Sequence, residues 1–130
     1  NPQIKVLIEV EIVRKDRWEK IVKEYPTVRW PYAKKSKCEE YEKKGEILVM
    51  LSANEGNLEE IFYIECETWV KEGHEEKARY VSAGGKKYFY RKGGEEPFWA
   101  IEKDKVKWGI KEFEPYLLDL LKRKKGLECK

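Results

Sequence analysis

The sequence predicts an α+β fold, in which a single domain spans residues 1–130. A curved antiparallel sheet of about six strands, or a partly closed barrel, carries one N-terminal helix and one C-terminal helix. The chain has 130 residues, which is enough for one domain and too short for two. Segments with strand periodicity follow one another with short turns, which favours antiparallel pairing. Helical periodicity occurs mainly at the two ends, which indicates α+β rather than alternating strands and helices.

The N-terminal part contains a predicted strand and a predicted helix. Residues 4–13 alternate in polarity, which predicts a long strand with one buried apolar face. That face carries Ile4, Val6, Ile8, Val10 and Ile12. Asp16 and Glu19 have the spacing of a capping box, and an apolar stripe follows at helical spacing. Pro26 ends this helix because proline cannot continue the hydrogen-bonding pattern.

The middle of the chain is predicted to form a loop, a short helix and a hairpin. Residues 26–37 are predicted to be a loop, and residues 36–44 a short polar helix. The apolar run 46–53 and the alternating run 60–70 are predicted strands. Asn54-Glu55-Gly56-Asn57 between them is a turn sequence, so the two strands are expected to pair.

The last third is predicted to contain two further hairpins and a helix. Residues 78–83 and 86–91 flank a Gly-Gly turn that suits a tight hairpin. Residues 98–102 and 105–110 are expected to form the second hairpin. A helix is predicted over residues 115–125, because acidic side chains precede it and basic side chains end it, as the helix dipole favours.

The charged residues nearly balance, but their types are unusual. The chain has 28 basic and 25 acidic residues, a net charge of +3, and a pI near 8.6. This is below the pI of about 9 typical of duplex-DNA-binding domains. The acidic residues are 22 Glu and 3 Asp, and the basic residues are 22 Lys and 6 Arg. Such Lys and Glu enrichment is typical of hyperthermophile proteins.

In composition the chain resembles small uncharacterised cytosolic proteins of hyperthermophilic archaea. The resemblance rests on no motif and implies no activity. The chain has no apolar run long enough to span a membrane and no recognisable leader, so we expect a cytoplasmic protein without membrane contact.

The three cysteines do not form a metal-binding or redox motif. Cys38, Cys66 and Cys129 lack the Cys-x-x-Cys spacing of zinc and thioredoxin-like sites. Cys66 is expected to be a small core residue, and a Cys38–Cys129 disulfide is left open. We expect no bound metal and no cofactor.

A combination of aromatic and basic residues predicts a surface for single-stranded nucleic acid, with RNA favoured. Aromatic rings can stack on unpaired bases while cations contact the phosphates. The alternative is that the aromatics are core residues and that the lysines pair with the many glutamates. The candidate residues are Arg29, Trp30, Tyr32, Lys34, Lys35, Lys86, Tyr88, Tyr90 and Lys92.

Two Glu-x-Glu pairs suggest a second, catalytic possibility. Glu9 with Glu11 and Glu65 with Glu67 would each place two carboxylates on one face of a predicted strand. If the strands were neighbours, these groups could act as acid and base or bind a divalent metal. His74 is a further candidate base. The alternative is that these carboxylates lie on a solvated face.

A third possibility is that the protein binds another protein or a second copy of itself. Five Trp and eight Tyr exceed the need of one small core, and these residues are enriched at interaction surfaces. From the sequence we rank nucleic-acid binding slightly above protein interaction, and both above catalysis.

Overall fold

The computed structural model describes residues 5–79 and 95–128, and within them the chain forms an α+β fold with two open sheets. The strands are β1 (Val6–Val13), β2 (Thr27–Pro31), β3 (Ile47–Asn54), β4 (Asn57–Glu65), β5 (His74–Arg79), β6 (Glu95–Glu102) and β7 (Lys107–Trp108). The helices are α1 (Lys15–Lys23), α2 (Ala33–Lys43), α3 (Cys66–Glu72) and α4 (Phe113–Glu128). The α+β class is confirmed, but the prediction of one curved sheet is wrong.

The first sheet has the strand order β1-β3-β4-β7, and its β1–β3 pair is parallel. The sequence prediction of purely antiparallel pairing is wrong here, because α1, β2 and α2 form the long connection that parallel strands require. β3 and β4 form the predicted hairpin. In its turn the Gly56 N–H donates a hydrogen bond to Asn54 Oδ1 at 2.9 Å.

The second sheet has the order β2-β6-β5 and is antiparallel throughout. β2 lies within the predicted loop 26–37. The short strand forms because Val28 and Trp30 are buried while the residues between them are not. The flanking prolines concealed this brief alternation in the sequence.

The predicted strand over 60–70 ends at Glu65 and continues as α3. Cys66 and Trp69 are three residues apart, so a helical turn directs both into the core, as their burial shows. The predicted 98–102 and 105–110 hairpin is also wrong, because a 3₁₀ turn over Lys103–Lys105 redirects the chain. As a result β7 pairs with β4 instead of β6.

The predicted terminal helices are confirmed with adjusted ends, and the short helix predicted over 36–44 begins earlier, as α2. Asp16 does not cap α1; it lies in the first turn, and its carboxylate is 3.7 Å from the Arg14 guanidinium. The predicted hairpin of 78–83 and 86–91 lies almost entirely outside the described residues.

The first core lies between the two sheets and is rich in aromatic rings. Trp30 and Trp69 meet edge to face with ring centroids 5.6 Å apart, and Trp30 also contacts Phe62. The second core lies on the opposite face of the first sheet, under α4. There Tyr63 contacts Phe113 and Tyr116 with centroid distances of 4.8 and 5.0 Å.

Two tryptophans connect α3 to β6 through reciprocal hydrogen bonds. The Trp69 indole N–H donates to the Trp99 carbonyl at 3.0 Å, and the Trp99 indole N–H donates to the Trp69 carbonyl at 2.9 Å. Gly73 makes this arrangement possible because a Cβ there would lie only 2.2 Å from Trp99 Nε1. The end of α3 is therefore fixed against the second sheet.

A disulfide between Cys38 and Cys66 joins α2 to α3, with the two Cα atoms 5.6 Å apart. Both residues are buried, so the prediction of Cys66 as a core residue is correct in position but omitted its partner. The alternative Cys38–Cys129 bond does not form, because Cys38 is already bonded. Cys129 itself lies outside the described residues.

We predict that reducing this disulfide lowers the free energy of unfolding by about 3–4 kcal/mol, because the bond closes a loop of 28 residues that the reduced unfolded chain would leave open. Guanidinium unfolding with and without a dithiol reductant measures the loss. The double variant Cys38→Ala/Cys66→Ala should show at least the same loss and no further effect of the reductant. A comparable loss in Cys129→Ala alone would contradict the assigned pairing.

Candidate interaction surface on strand β1

The apolar face of β1 points away from the first core and is exposed. Ile8, Val10 and Ile12 are 40%, 57% and 54% exposed. The sequence prediction that this face is buried is therefore wrong for Ile8, Val10 and Ile12, whereas Val6 is half-buried and packs against the second core. Ile4 lies outside the described residues. The opposite face, which carries Glu9 and Glu11, is the one that faces inward.

This exposed face is continuous with the second core. Ile8 pairs with Val49, Val10 with Leu51, and Ile12 with Ala53, and the β3 residues of these pairs all belong to the core under α4. The residues of α4 that pack in this core meet those of β3 and β4. β1 therefore extends an apolar sheet face beyond the part that the helix covers.

The outer edge of β1 also carries backbone groups without a strand partner among the described residues. The Lys5 carbonyl accepts a hydrogen bond from the Ile47 N–H of β3 at 3.2 Å, and the Val13 carbonyl accepts one from the N–H of Glu55, the residue after β3, at 2.8 Å. Odd-numbered residues of β1 therefore direct their backbone groups to β3. Because strand residues alternate, the even-numbered residues Val6 to Ile12 direct theirs to the open edge.

Glu9 is held by two lysines of α2. Lys34 Nζ and Lys37 Nζ each donate a hydrogen bond to one of its carboxylate oxygens, the latter at 3.2 Å. The hydrogen bond from Lys34 lowers the pKa of Glu9. Lys37 was absent from the candidate residues, although its spacing of three from Lys34 places both on one helix face.

Glu11 is half-buried and lies in a less favourable environment than Glu9. Burial raises the pKa of its carboxyl group, and the nearby Arg17 opposes this only in part. The buried Ser52 hydroxyl donates to Glu11 Oε1 at 3.5 Å. Glu9 and Glu11 thus share a face, as predicted. The folded protein favours the ionised form of Glu9 and disfavours the ionised form of Glu11.

The second Glu-x-Glu pair does not join the first. Glu65 ends β4 opposite Val49, on the sheet face that is turned away from Glu9 and Glu11, and Glu67 lies in α3. Glu65 Oε1 accepts a hydrogen bond from Arg123 at 3.2 Å, and Glu67 pairs with Lys71. The four carboxylates therefore do not form one site. β4 ends at Glu65, and β3 lies between β4 and β1.

The remaining acidic and imidazole groups provide no metal centre among the described residues. No cluster of three or more His, Cys, Asp or Glu side chains suited to a metal occurs there. His74, the candidate base, lies 2.8 Å from Glu76 on the exposed side of β5. Thr27 donates to the same carboxylate at 3.2 Å.

The predicted nucleic-acid residues separate into several environments. Trp30 is only 2% exposed and belongs to the first core, so it offers no stacking surface. Lys34 binds Glu9. The Arg29 guanidinium lies 4.6 Å from the centre of the Phe98 ring. The other predicted residues, Lys86, Tyr88, Tyr90 and Lys92, lie outside the described residues.

Tyr32 and Lys35 do come together with a third residue that the sequence reasoning missed. The rings of Tyr32 and Trp99 meet edge to face at 5.9 Å, and the Lys35 ammonium lies 4.5 Å from the Trp99 ring centre. Trp99 lies two residues after Pro97, in a segment that was expected to be an ordinary hairpin strand. Only the β2–β6 pairing places it beside Tyr32.

Comparison with known proteins supplies no family for this chain. No protein-family model, curated protein or solved structure matches it. Among residues 5–79 and 95–128, no helix has both the length and the apolar character needed to cross a bilayer. The function must therefore be inferred from the geometry of the described side chains.

We predict opposite stability changes for the two inward carboxylates of β1. Glu9→Gln should lower the free energy of unfolding at pH 7 by up to about 1 kcal/mol, because it removes the pairs with Lys34 and Lys37. Glu11→Gln should raise it, because it removes a charge whose burial is unfavourable while an oxygen remains for Ser52.

The pH dependence provides the control for this prediction. The pKa of Glu9 is lowered by folding, so its stabilisation is complete above the ordinary value of 4.5 and is lost as the pH falls through the folded pKa. The pKa of Glu11 is raised, so its cost disappears as the pH falls from the folded pKa towards 4.5. Urea unfolding at a series of pH values below 7 should show that the free energy of unfolding of each variant approaches that of the wild-type protein. Equal effects of the two variants at pH 7 would contradict the assignment.

Proposed function

We propose that the protein is a homodimeric interaction module in which β1 pairs antiparallel with β1 of a second copy. The observation that carries this proposal is the exposed face of Ile8, Val10 and Ile12 on a strand whose outer edge has no strand partner among residues 5–79 and 95–128. Long apolar edge strands are prone to associate unless charged side chains, proline or a bulge protect them. The inward charge of Glu9 is already neutralised by Lys34 and Lys37 of its own chain. Between Val6 and Val13 the sequence contains neither lysine nor proline.

One of the registers that the backbone geometry allows pairs all four apolar residues of this face. Residues with outward N–H and C=O groups must face each other, and in β1 these are the even-numbered ones. A two-fold axis at Glu9 aligns Val6 with the partner's Ile12 and Ile8 with the partner's Val10. Each aligned pair exchanges two backbone hydrogen bonds and brings two branched apolar side chains together.

The charges on the inward face are compatible with this register. Glu9 lies opposite the partner's Glu9, and like charges in that position would ordinarily repel. Each of these carboxylates, however, already binds Lys34 and Lys37 of its own chain. Two carboxylates therefore lie among four ammonium groups, which makes the centre of the interface electrostatically favourable.

A second copy fits this strand better than an unrelated peptide does. The apolar residues Val6, Ile8, Val10 and Ile12 have nearly equal size and are spaced symmetrically about Glu9. An interface around a two-fold axis needs such a self-complementary surface. Pairing would join two four-stranded sheets into one continuous sheet of eight strands.

We predict that the wild-type protein is a dimer in sedimentation equilibrium and that Val10→Lys makes it a monomer. The lysine places a charge at the centre of the apolar face, where the dimer would exclude water. Val10 is largely exposed, so the isolated subunit should keep its circular dichroism spectrum and fold.

Leu58→Lys is the matched control, because Leu58 is 60% exposed on β4 and lies outside the proposed interface. It should leave the dimer intact. A wild-type protein that stays monomeric at all concentrations tested, or a dimer that Val10→Lys does not weaken, would rule out the proposal.

A second candidate function, binding of single-stranded nucleic acid, is favoured by the contact of Tyr32, Trp99 and Lys35. Tyr32 is exposed, and the ammonium of Lys35 lies close to both rings. A base could stack on Tyr32 while Lys35 turns to a phosphate. Trp30 lies in the core, so one of the predicted base-stacking residues is lost from this surface. We therefore rank nucleic-acid binding below dimer formation.

For this candidate we predict tryptophan quenching by short single-stranded RNA that weakens between about 50 and 200 mM salt, because phosphate contacts release counterions. Tyr32→Ala should reduce the affinity by about fivefold or more, since one stacked base contributes roughly 1–3 kcal/mol. Leu58→Ala serves as the control. Quenching that is independent of salt, or equal in Tyr32→Ala, would exclude this site.

A further inference from the structure

An open groove of about 420 Å³ lies between the C-terminal end of α1 and the connection from β6 to β7. It is separate from the proposed dimer strand. Its lining consists of Val22, Pro26, Glu102, Lys103, Asp104 and Trp108. The groove therefore combines an aliphatic wall, one indole ring and two carboxylates.

The indole of Trp108 is held in place while part of its surface remains open. Its N–H donates to the Lys103 carbonyl at 3.1 Å, and its ring lies 5.1 Å from the Phe62 ring. Trp108 is nevertheless 37% exposed, and Val22 beside it is also exposed. A ligand would thus meet a preformed apolar surface without any need to reorient the ring.

The positive charge nearest the groove is already used within the protein. Lys103 Nζ donates to the carbonyls of Ile21 and Val22 at 3.0 and 2.7 Å, and so neutralises the negative end of the α1 dipole. Within the described part of the chain, neither Glu102 nor Asp104 takes part in an ion pair. Two exposed carboxylates therefore flank the indole without a counterion from the described residues.

We infer that this groove binds the arginine side chain of an extended peptide from a partner protein. A guanidinium can stack on the exposed indole of Trp108 and at the same time donate paired hydrogen bonds to a carboxylate. Its weak hydration and planar shape suit it better than a lysine ammonium for this combined contact. The charge of the ligand complements Glu102 and Asp104, and its aliphatic stem contacts Val22.

The test is a titration of the ¹⁵N-labelled protein with the blocked tripeptide acetyl-Gly-Arg-Gly-amide, followed through the indole N–H resonance of Trp108. Trp108→Phe assigns that resonance by its loss. We expect a saturable shift with a Kd on the order of 1 mM, since one side chain provides few contacts. The same peptide with citrulline in place of arginine keeps the shape without the charge, and it should bind about tenfold more weakly.

The double variant Glu102→Gln/Asp104→Asn should weaken binding of the arginine peptide to the level of the citrulline peptide. Glu59→Gln/Glu75→Gln removes two exposed carboxylates elsewhere and is the matched control, which should leave the Kd unchanged. The inference is overturned if the arginine and citrulline peptides shift the resonance equally. It is also overturned if no saturable shift occurs, or if both double variants lower the affinity to the same extent.

Discussion

Strand β3 has a core on each of its faces: Met50 packs in the core between the sheets, and Leu51 packs in the core under α4. The other layers are arranged around this strand. The β2–β6–β5 sheet and the first three helices complete one core, and α4 completes the other over β4. β1 lies on the far side of β3 from β4, so its inward face is covered while Ile8, Val10 and Ile12 on its apolar outer face are exposed. The exposed Val10 is thus a consequence of where α4 lies.

The same arrangement explains why β1 carries carboxylates on its inner face. Glu9 and Glu11 lie at the margin of the first core, where α2 can supply ammonium groups to Glu9. The Cys38–Cys66 bond fixes α2 to α3, and the reciprocal tryptophan bonds fix α3 to the second sheet. This series of connections holds the lysines of α2 over β1. Glu11 makes no hydrogen bond to these lysines, and its burial raises the pKa of its carboxyl group.

Elements whose evidence is local, including the β3–β4 hairpin, were predictable from the sequence, whereas the covered faces of the strands and the pairings between distant strands were not. β1, β3 and the turn at Asn54 follow from periodicity and turn residues within a few positions. Alternation in β1 shows that its two faces differ, but which face is covered depends on α4, which begins 100 residues after β1 ends. The start of α3 at Cys66 was missed because a short apolar segment fits both periods. The contact of Tyr32 with Trp99 depends on the pairing of β2 with β6, which no local pattern indicates.

Composition concealed the candidate sites for a related reason. With 22 Lys and 22 Glu, any aromatic residue has charged neighbours in the sequence, and some of these neighbours form weak local pairs, such as Lys35 with Glu39. A charge becomes informative when its expected counterion is engaged elsewhere. Lys103 lies between Glu102 and Asp104 in the sequence and would seem to neutralise them, but its ammonium binds carbonyls of α1 instead. This contact of Lys103 depends on the tertiary structure and cannot be read from the sequence. It leaves Glu102 and Asp104 unpaired among the described residues, in the groove that the exposed Trp108 indole also lines.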